Sequence, residues 1–170
     1  MRRGAGRLAV ALAIVVGIAG SSAAMDVRRL ELDEVVARAD CIVHGTVASI
    51  VSGRDGDGIP ATWVTLDVEE CLKGGTGPSL TVKQVGVQDP MPDGTLFRIP
   101  GLPRYRPGDE VVLFLHAPSG RGFTSPVGMA QGYYRVEASE RGRVVRAAAA
   151  PAAAEVLPAF LDRVRQRVGR

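Results

Sequence analysis

Residues 41–51 read CIVHGTVASIV and residues 62–72 read TWVTLDVEECL, with the turn-rich SGRDGDGI of 52–59 between them. In the first stretch Cys41, Val43, Gly45, Val47 and Val51 share one side of an extended chain, and His44, Thr46 and Ala48 share the other. The second sends Val64, Leu66 and Val68 one way and Thr65, Asp67 and Glu69 the other. A side-chain period of two is that of a half-buried strand, and two such runs around a Gly/Asp-rich turn predict an antiparallel hairpin. The fold is therefore expected to be mainly β.

Working outward, Leu80, Val82, Val85 and Val87 supply a third strand. The unbroken VVLFL of 111–115 predicts the most buried one, and 132–137 and 143–147 complete the β part. Leu30, Leu32, Val35, Val36 and Ala39 fall at helical spacing before the hairpin, with Asp33 and Glu34 in the first turns. Near the other end Val156, Leu157, Phe160, Leu161, Val164 and Val168 line one face of a helix over 152–168, with arginines on the opposite face. Pro158 restricts its regular part to the residues that follow. Five principal strands between two terminal helices predict a five-stranded OB-like Greek-key barrel with a short N-terminal helix and a C-terminal helix.

Ahead of this domain Arg2, Arg3 and Arg7 precede the apolar run LAVALAIVVGIA of 8–19 and the small residues Ser22-Ala23-Ala24. That series predicts a cleavable signal peptide over 1–24 and a secreted or periplasmic protein. The run falls short of the roughly 20 apolar residues of a spanning helix, so no stable membrane insertion is expected after cleavage. The remainder divides into a β domain over 25–150 and a basic amphipathic helix over 151–170. The whole chain carries a formal net charge of +3, with 21 Lys+Arg against 18 Asp+Glu. Removing the three arginines of 1–24 leaves basic and acidic residues equal in number. Residues 25–140 hold 11 basic and 16 acidic residues, and 141–170 hold seven basic and two acidic. An acidic body with a basic tail is the wrong footprint for nucleic acid, which needs a concentrated basic face. The tail is expected either to dock on the body or an anionic surface, or to be a solvated helix face.

The order of motifs resembles the netrin-module and tissue-inhibitor-of-metalloproteinase superfamily. Ala39, Asp40, Ile42, Val43 and Val47 match its first strand; Val68, Lys73 and Gly74 match a second strand ending in Lys-Gly; Gly108, Val111, Val112 and Leu113 match a later strand after a turn. The resemblance implies an OB-type barrel that works by contact with another protein. In the inhibitors of that superfamily a cysteine at the mature N-terminus chelates the target's zinc. Here the first cysteine is Cys41, so that device does not carry over.

Chemistry-bearing groups are sparse. His44 faces outward on the first strand, opposite Asp67 or Glu69 if the hairpin forms; such a contact reads either as an acid-base pair or as a solvated cross-strand pair. Asp55-Gly56-Asp57-Gly58 has part of a calcium loop's pattern but suits a hairpin turn. Gly74-Gly75-Thr76-Gly77 lacks the Lys-Ser/Thr of a phosphate loop. Trp63 falls on the outward parity, either as a contact residue or covered by a loop or helix. No catalytic residue, metal ligand or cofactor is expected. In an exported chain two cysteines suggest a Cys41–Cys71 disulfide. Strict alternation opposes it, and a bulge near Glu69-Glu70 would restore the parity; two free thiols are the other reading.

Residues 89–108 form a loop of five prolines and three glycines. Loops of this length without secondary structure are uncommon in compact domains, and this one reads as functional or mobile. With 52–59 and 120–130 it is expected to gather at one end of the barrel, where Phe97, Arg98, Leu102, Tyr105 and Arg106 are the residue types of a protein-binding surface. The loop alternatively caps the barrel, with Phe97 and Leu102 as its plug. The expected function is a secreted non-enzymatic protein-interaction module, a partner or inhibitor of an extracellular peptidase. The alternatives are an OB-type oligonucleotide- or glycan-binding protein, which the 5% aromatic content disfavours, and a structural envelope protein.

Overall fold

A computed structural model describes residues 28–149 and 154–169; the expected signal peptide over 1–24 lies outside them. The predicted hairpin forms from β1 (Cys41–Arg54) and β2 (Pro60–Lys73), longer and tighter than the sequence suggests. β3 (Ser79–Val85), β4 (Glu110–Leu115), β5 (Tyr133–Ser139), β6 (Gly142–Ala147) and the two-residue β7 (Glu155–Val156) follow. Helix α1 spans Leu32–Arg38, closed at its start by a capping box between Glu31 and Glu34. Helix α2 spans Leu157–Val168 with Pro158 in its first turn, so the regular helix begins where the proline dictates. Among the described residues no helix is long and apolar enough to cross a membrane.

The protein is mainly β, but its strands form one seven-stranded antiparallel sheet in the order β3-β2-β1-β4-β5-β6-β7, not five strands closed by continuous pairing. The reason lies at β4. Its free edge is taken over 110–113 by β5, which continues into β6 and β7. Only the last part of that edge is left, and there Pro126 bridges Leu115 while Phe123 makes a parallel bridge to Lys83 of β3. The sheet forks at β4.

Both faces of the forked sheet are buried. On one, Ile42, Val112, Phe114, Val136 and Val145 pack under Val35 and Val36 of α1 and Leu157, Phe160, Leu161 and Val164 of α2. On the other, Val43, Val47, Val64, Leu66, Val82, Val111, Leu113, Leu115 and Tyr133 close around Tyr105. The 111–115 run is continuous in sequence because alternate residues serve opposite cores. The basic tail docks on the body: Arg165 makes paired hydrogen bonds of 2.8 and 2.7 Å to Glu70, and Arg167 meets Asp33. These pairs are exposed and contribute little each, so the apolar face of α2 supplies most of its anchoring.

The β1–β2 register carries the bulge that a Cys41–Cys71 disulfide would have required. His44 lies opposite Glu70 and Gly45 opposite Val68, so Glu69 is the extra residue; a second irregularity sets Ile42 opposite Lys73 and Val43 opposite Cys71. Gly45 sits where a Cβ would lie 2.3 Å from the Asp67 carbonyl oxygen, so the close approach of the two strands requires glycine. Lys73, part of the Lys-Gly match, donates from Nζ to the Val36 carbonyl at 3.1 Å, capping the end of α1.

The Cys41–Cys71 disulfide is not formed; both are free thiols. The bulge does put them on matching parity, but Cys71 stands opposite Val43, which makes Cys41 its diagonal neighbour. Diagonal neighbours sit about 7–8 Å apart, beyond the span a disulfide tolerates. Burial, and then the nearby Cys71, pushes the Cys41 thiol above its usual range.

Candidate functional site

The strongest candidate is the end of the molecule where 52–59, 89–108 and 120–130 meet. The hairpin turn comes first. Asp55 accepts from the backbone N–H groups of Asp57 at 3.0 Å and Ile59 at 2.8 Å, and Gly58 supplies φ +78°. Its other carboxylate oxygen takes the Lys83 ammonium at 3.0 Å, which holds the carboxyl below its ordinary range. Asp55-Gly56-Asp57-Gly58 is therefore turn chemistry, with Asp55 committed to neighbours. Lys83 also lies 4.0 Å from the Phe123 ring centre and 6.0 Å from that of the half-buried Trp63. Arg121 reaches Asp57 at 3.5 Å, tying the third loop to the first.

The 89–108 segment has neither helix nor strand, yet it is stitched down. Gly86, at φ +92°, leaves the Phe97 carbonyl oxygen 2.7 Å from where a Cβ would be, and Val87 N–H donates to that oxygen at 2.8 Å. Gln88 pairs with Tyr105 as a strand would: its side-chain oxygen accepts the Tyr105 N–H at 2.6 Å and its amide nitrogen donates to the Tyr105 carbonyl at 3.2 Å. Arg98 donates through Nε to the Gln88 carbonyl at 3.1 Å. At the tip Arg54 of β1 reaches Asp93 and Thr95, each at 2.9 Å.

Hydrogen bonds from Thr95, followed by Arg54, hold the Asp93 carboxyl at about 2. Its folded value is thus depressed, and the stabilisation is fully present above the unfolded value of about 3.9 and lost as pH falls through about 2. A carboxyl NMR titration is expected to give Asp93 a midpoint near 2, and Thr95→Ala to raise it; an ordinary midpoint in both proteins contradicts the Thr95 and Arg54 hydrogen bonds to Asp93.

The predicted surface residues divide. Phe97 is 46% exposed beside Leu96 at 49%, so Phe97 is not the barrel plug. Arg98 and Arg106 are exposed and Leu102 is half-buried. Tyr105 is not on the surface: its ring is buried, edge-on to Tyr133 at 5.3 Å, and burial pushes its phenol well above the usual range. Tyr105, which packs in the core of the second face, fills the place that the sequence assigned to Phe97. The signal missed was Gln88, whose amide draws Tyr105 inward.

Between the plug and β1 opens a recess of about 680 Å³ whose lining includes Ile50, Met91, Arg104, Tyr105, Arg106 and Arg135. The Arg104–Asp89 pair at 2.9 Å is exposed on both sides. Arg135 reaches Asp109 and the Tyr133 hydroxyl at 3.3 and 3.4 Å.

A second cluster lies on the helix-bearing face. His44 is buried, with Nε2 at 2.7 Å from Glu110 and Nδ1 at 3.8 Å from Glu69. One carboxylate is the cross-strand neighbour expected from sequence, put alongside by the bulge. Glu110 is 66 residues away in sequence and comes with the β1–β4 register. The three donor atoms lie within 4.8 Å of one another, a grouping with the right atom types for a metal. A cation already serves it: Arg143 lies 2.7 Å from Glu110 and 3.6 Å from Glu69. As described it is a partly exposed polar network around the buried His44, joining β1, β2, β4 and β6.

Neither a protein-family model, nor a curated protein, nor a solved structure matches the chain.

Proposed function

We propose that the protein is a secreted, non-enzymatic interaction module that engages another protein, an extracellular peptidase being the partner class we favour, through the 89–108 loop. The observation that carries this reading is the exposed pair Leu96 and Phe97 on a loop whose backbone is pinned at both ends. Ordering costs oppose association, and a loop already fixed by Gly86, Gln88, Arg98 and five prolines has less left to lose. An aromatic ring on such a platform is suited to entering a partner's pocket, and the leucine beside it adds apolar area to the contact. Export rests on the Arg-apolar-Ser-Ala-Ala series of 1–24. The bridges from Lys83 to Phe123 and from Leu115 to Pro126 support reading the fold as an opened relative of the OB barrel.

The test is capture from the culture supernatant of the source organism on immobilised protein, wild type beside a Leu96→Ser, Phe97→Ser double variant. Both side chains are exposed, so the variant is expected to keep its circular dichroism and melting point while losing the captured protein. Equal capture by both proteins removes the loop as the contact surface.

A further inference from the structure

We propose that the recess beside the proline loop is a carboxylate-binding site, and that the partner segment it takes is an extended acidic peptide; this rests on the interaction reading above. Three guanidinium groups reach it from two parts of the chain, Arg104 and Arg106 from the loop and Arg135 from β5. The one acid in the lining, Asp89, is spent on Arg104 in a pair exposed on both sides, which water screens and a ligand displaces at little cost. Among the described residues no carboxylate lies within ion-pair distance of Arg106. Arg135 has a buried Nε–H with no partner, and the buried Tyr105 hydroxyl, also in the lining residues, has none either. Those two atoms lie behind the recess wall, and Arg135 also meets Asp109 at 3.3 Å, so Arg106 is the guanidinium that, among the described residues, stands free for a carboxylate to pair with.

Charge alone does not separate a carboxylate from a phosphate. Two features favour the carboxylate of a peptide. The recess has apolar wall residues, Ile50, Met91 and Pro107 among them, suited to the methylenes of a glutamate whose head meets the arginine forks. The body around it carries an excess of acids over bases across 25–140, which repels a long nucleic-acid polyanion more strongly than a short acidic peptide held at one local basic pocket.

The test measures fluorescence anisotropy of labelled hexaglutamate and hexaglutamine peptides with the mature protein. Hexaglutamate is expected to bind, hexaglutamine to bind about tenfold more weakly or worse, and Arg106→Gln and Arg135→Gln each to weaken hexaglutamate by about tenfold. Arg141→Gln, outside the recess, is the charge control and is expected to change nothing. Arg106 is exposed, so its variant folds even where that of Arg135 does not. The proposal is overturned by equal affinity for the two peptides, by no binding of hexaglutamate at roughly millimolar concentration, or by an undiminished Arg106→Gln. It is also overturned if an oligothymidine displaces hexaglutamate at lower concentration than unlabelled hexaglutamate does. Failure here with the Leu96/Phe97 result intact removes the acidic ligand and leaves the interaction reading standing; intact capture by the Leu96/Phe97 variant removes that reading itself.

Discussion

Phe114→Ala is expected to lower the unfolding free energy by about 3–5 kcal/mol. Phe114 is fully buried near the end of β4, and its ring lies 5.3 Å from that of Tyr134 and 6.4 Å from that of Phe160. It belongs to the core that joins the sheet to both helices, so its loss opens a cavity bounded by elements that cannot close independently. Urea unfolding of the protein measures this as a lower midpoint at unchanged slope. A loss under about 1 kcal/mol would mean that the helices do not rest on β4.

The second large effect is expected from the smallest possible addition. Gly45→Ala places a methyl group against the Asp67 carbonyl, where the obstacle is backbone and not a movable side chain. β1 is held on one side by β2 and on the other by β4, so it cannot retreat. The cost is expected at the top of the range of about 1–3 kcal/mol for overpacking. The same urea series reads it, and backbone NMR shifts are expected to spread from Gly45 to the bulge at Glu69. A neutral Gly45→Ala would contradict the strand approach and with it the register that brings Glu69 to His44.

Both effects were partly legible in the sequence. The VVLFL run announces a strand buried on both faces, and Pro158 announces where α2 starts. In the sequence a bulge near Glu69-Glu70 figures only as the condition for a Cys41–Cys71 disulfide; the bulge is present and the disulfide is not. Which edges pair is a different kind of information. Alternation finds β5 and β6 but says nothing of β5 occupying the β4 edge, so the sheet runs on to seven strands where a closed ring of five was expected. Glu110 could not be matched to His44 for the same reason. Within the site, composition marked the 89–108 loop, and the three loops do meet. It could not divide that loop into a plug and a surface, because Tyr105 and Phe97 are alike in kind. The difference lies in Gln88, which binds both backbone groups of Tyr105 and turns its ring inward, while Phe97 is held by its carbonyl and leaves its ring outside.

On the proposed function, the outward face of the 89–108 loop meets a partner protein. The most direct measurement of that contact is photo-crosslinking in culture supernatant, with a photoreactive residue placed at Phe97 and, as control, at Val156, which is 39% exposed on the edge strand β7. The account predicts a single discrete crosslinked product from position 97, absent from position 156 and suppressed by excess unlabelled wild-type protein but not by the Leu96→Ser, Phe97→Ser variant. Equal crosslinking from both positions, or none from position 97 while the wild-type protein still captures a partner, would contradict it.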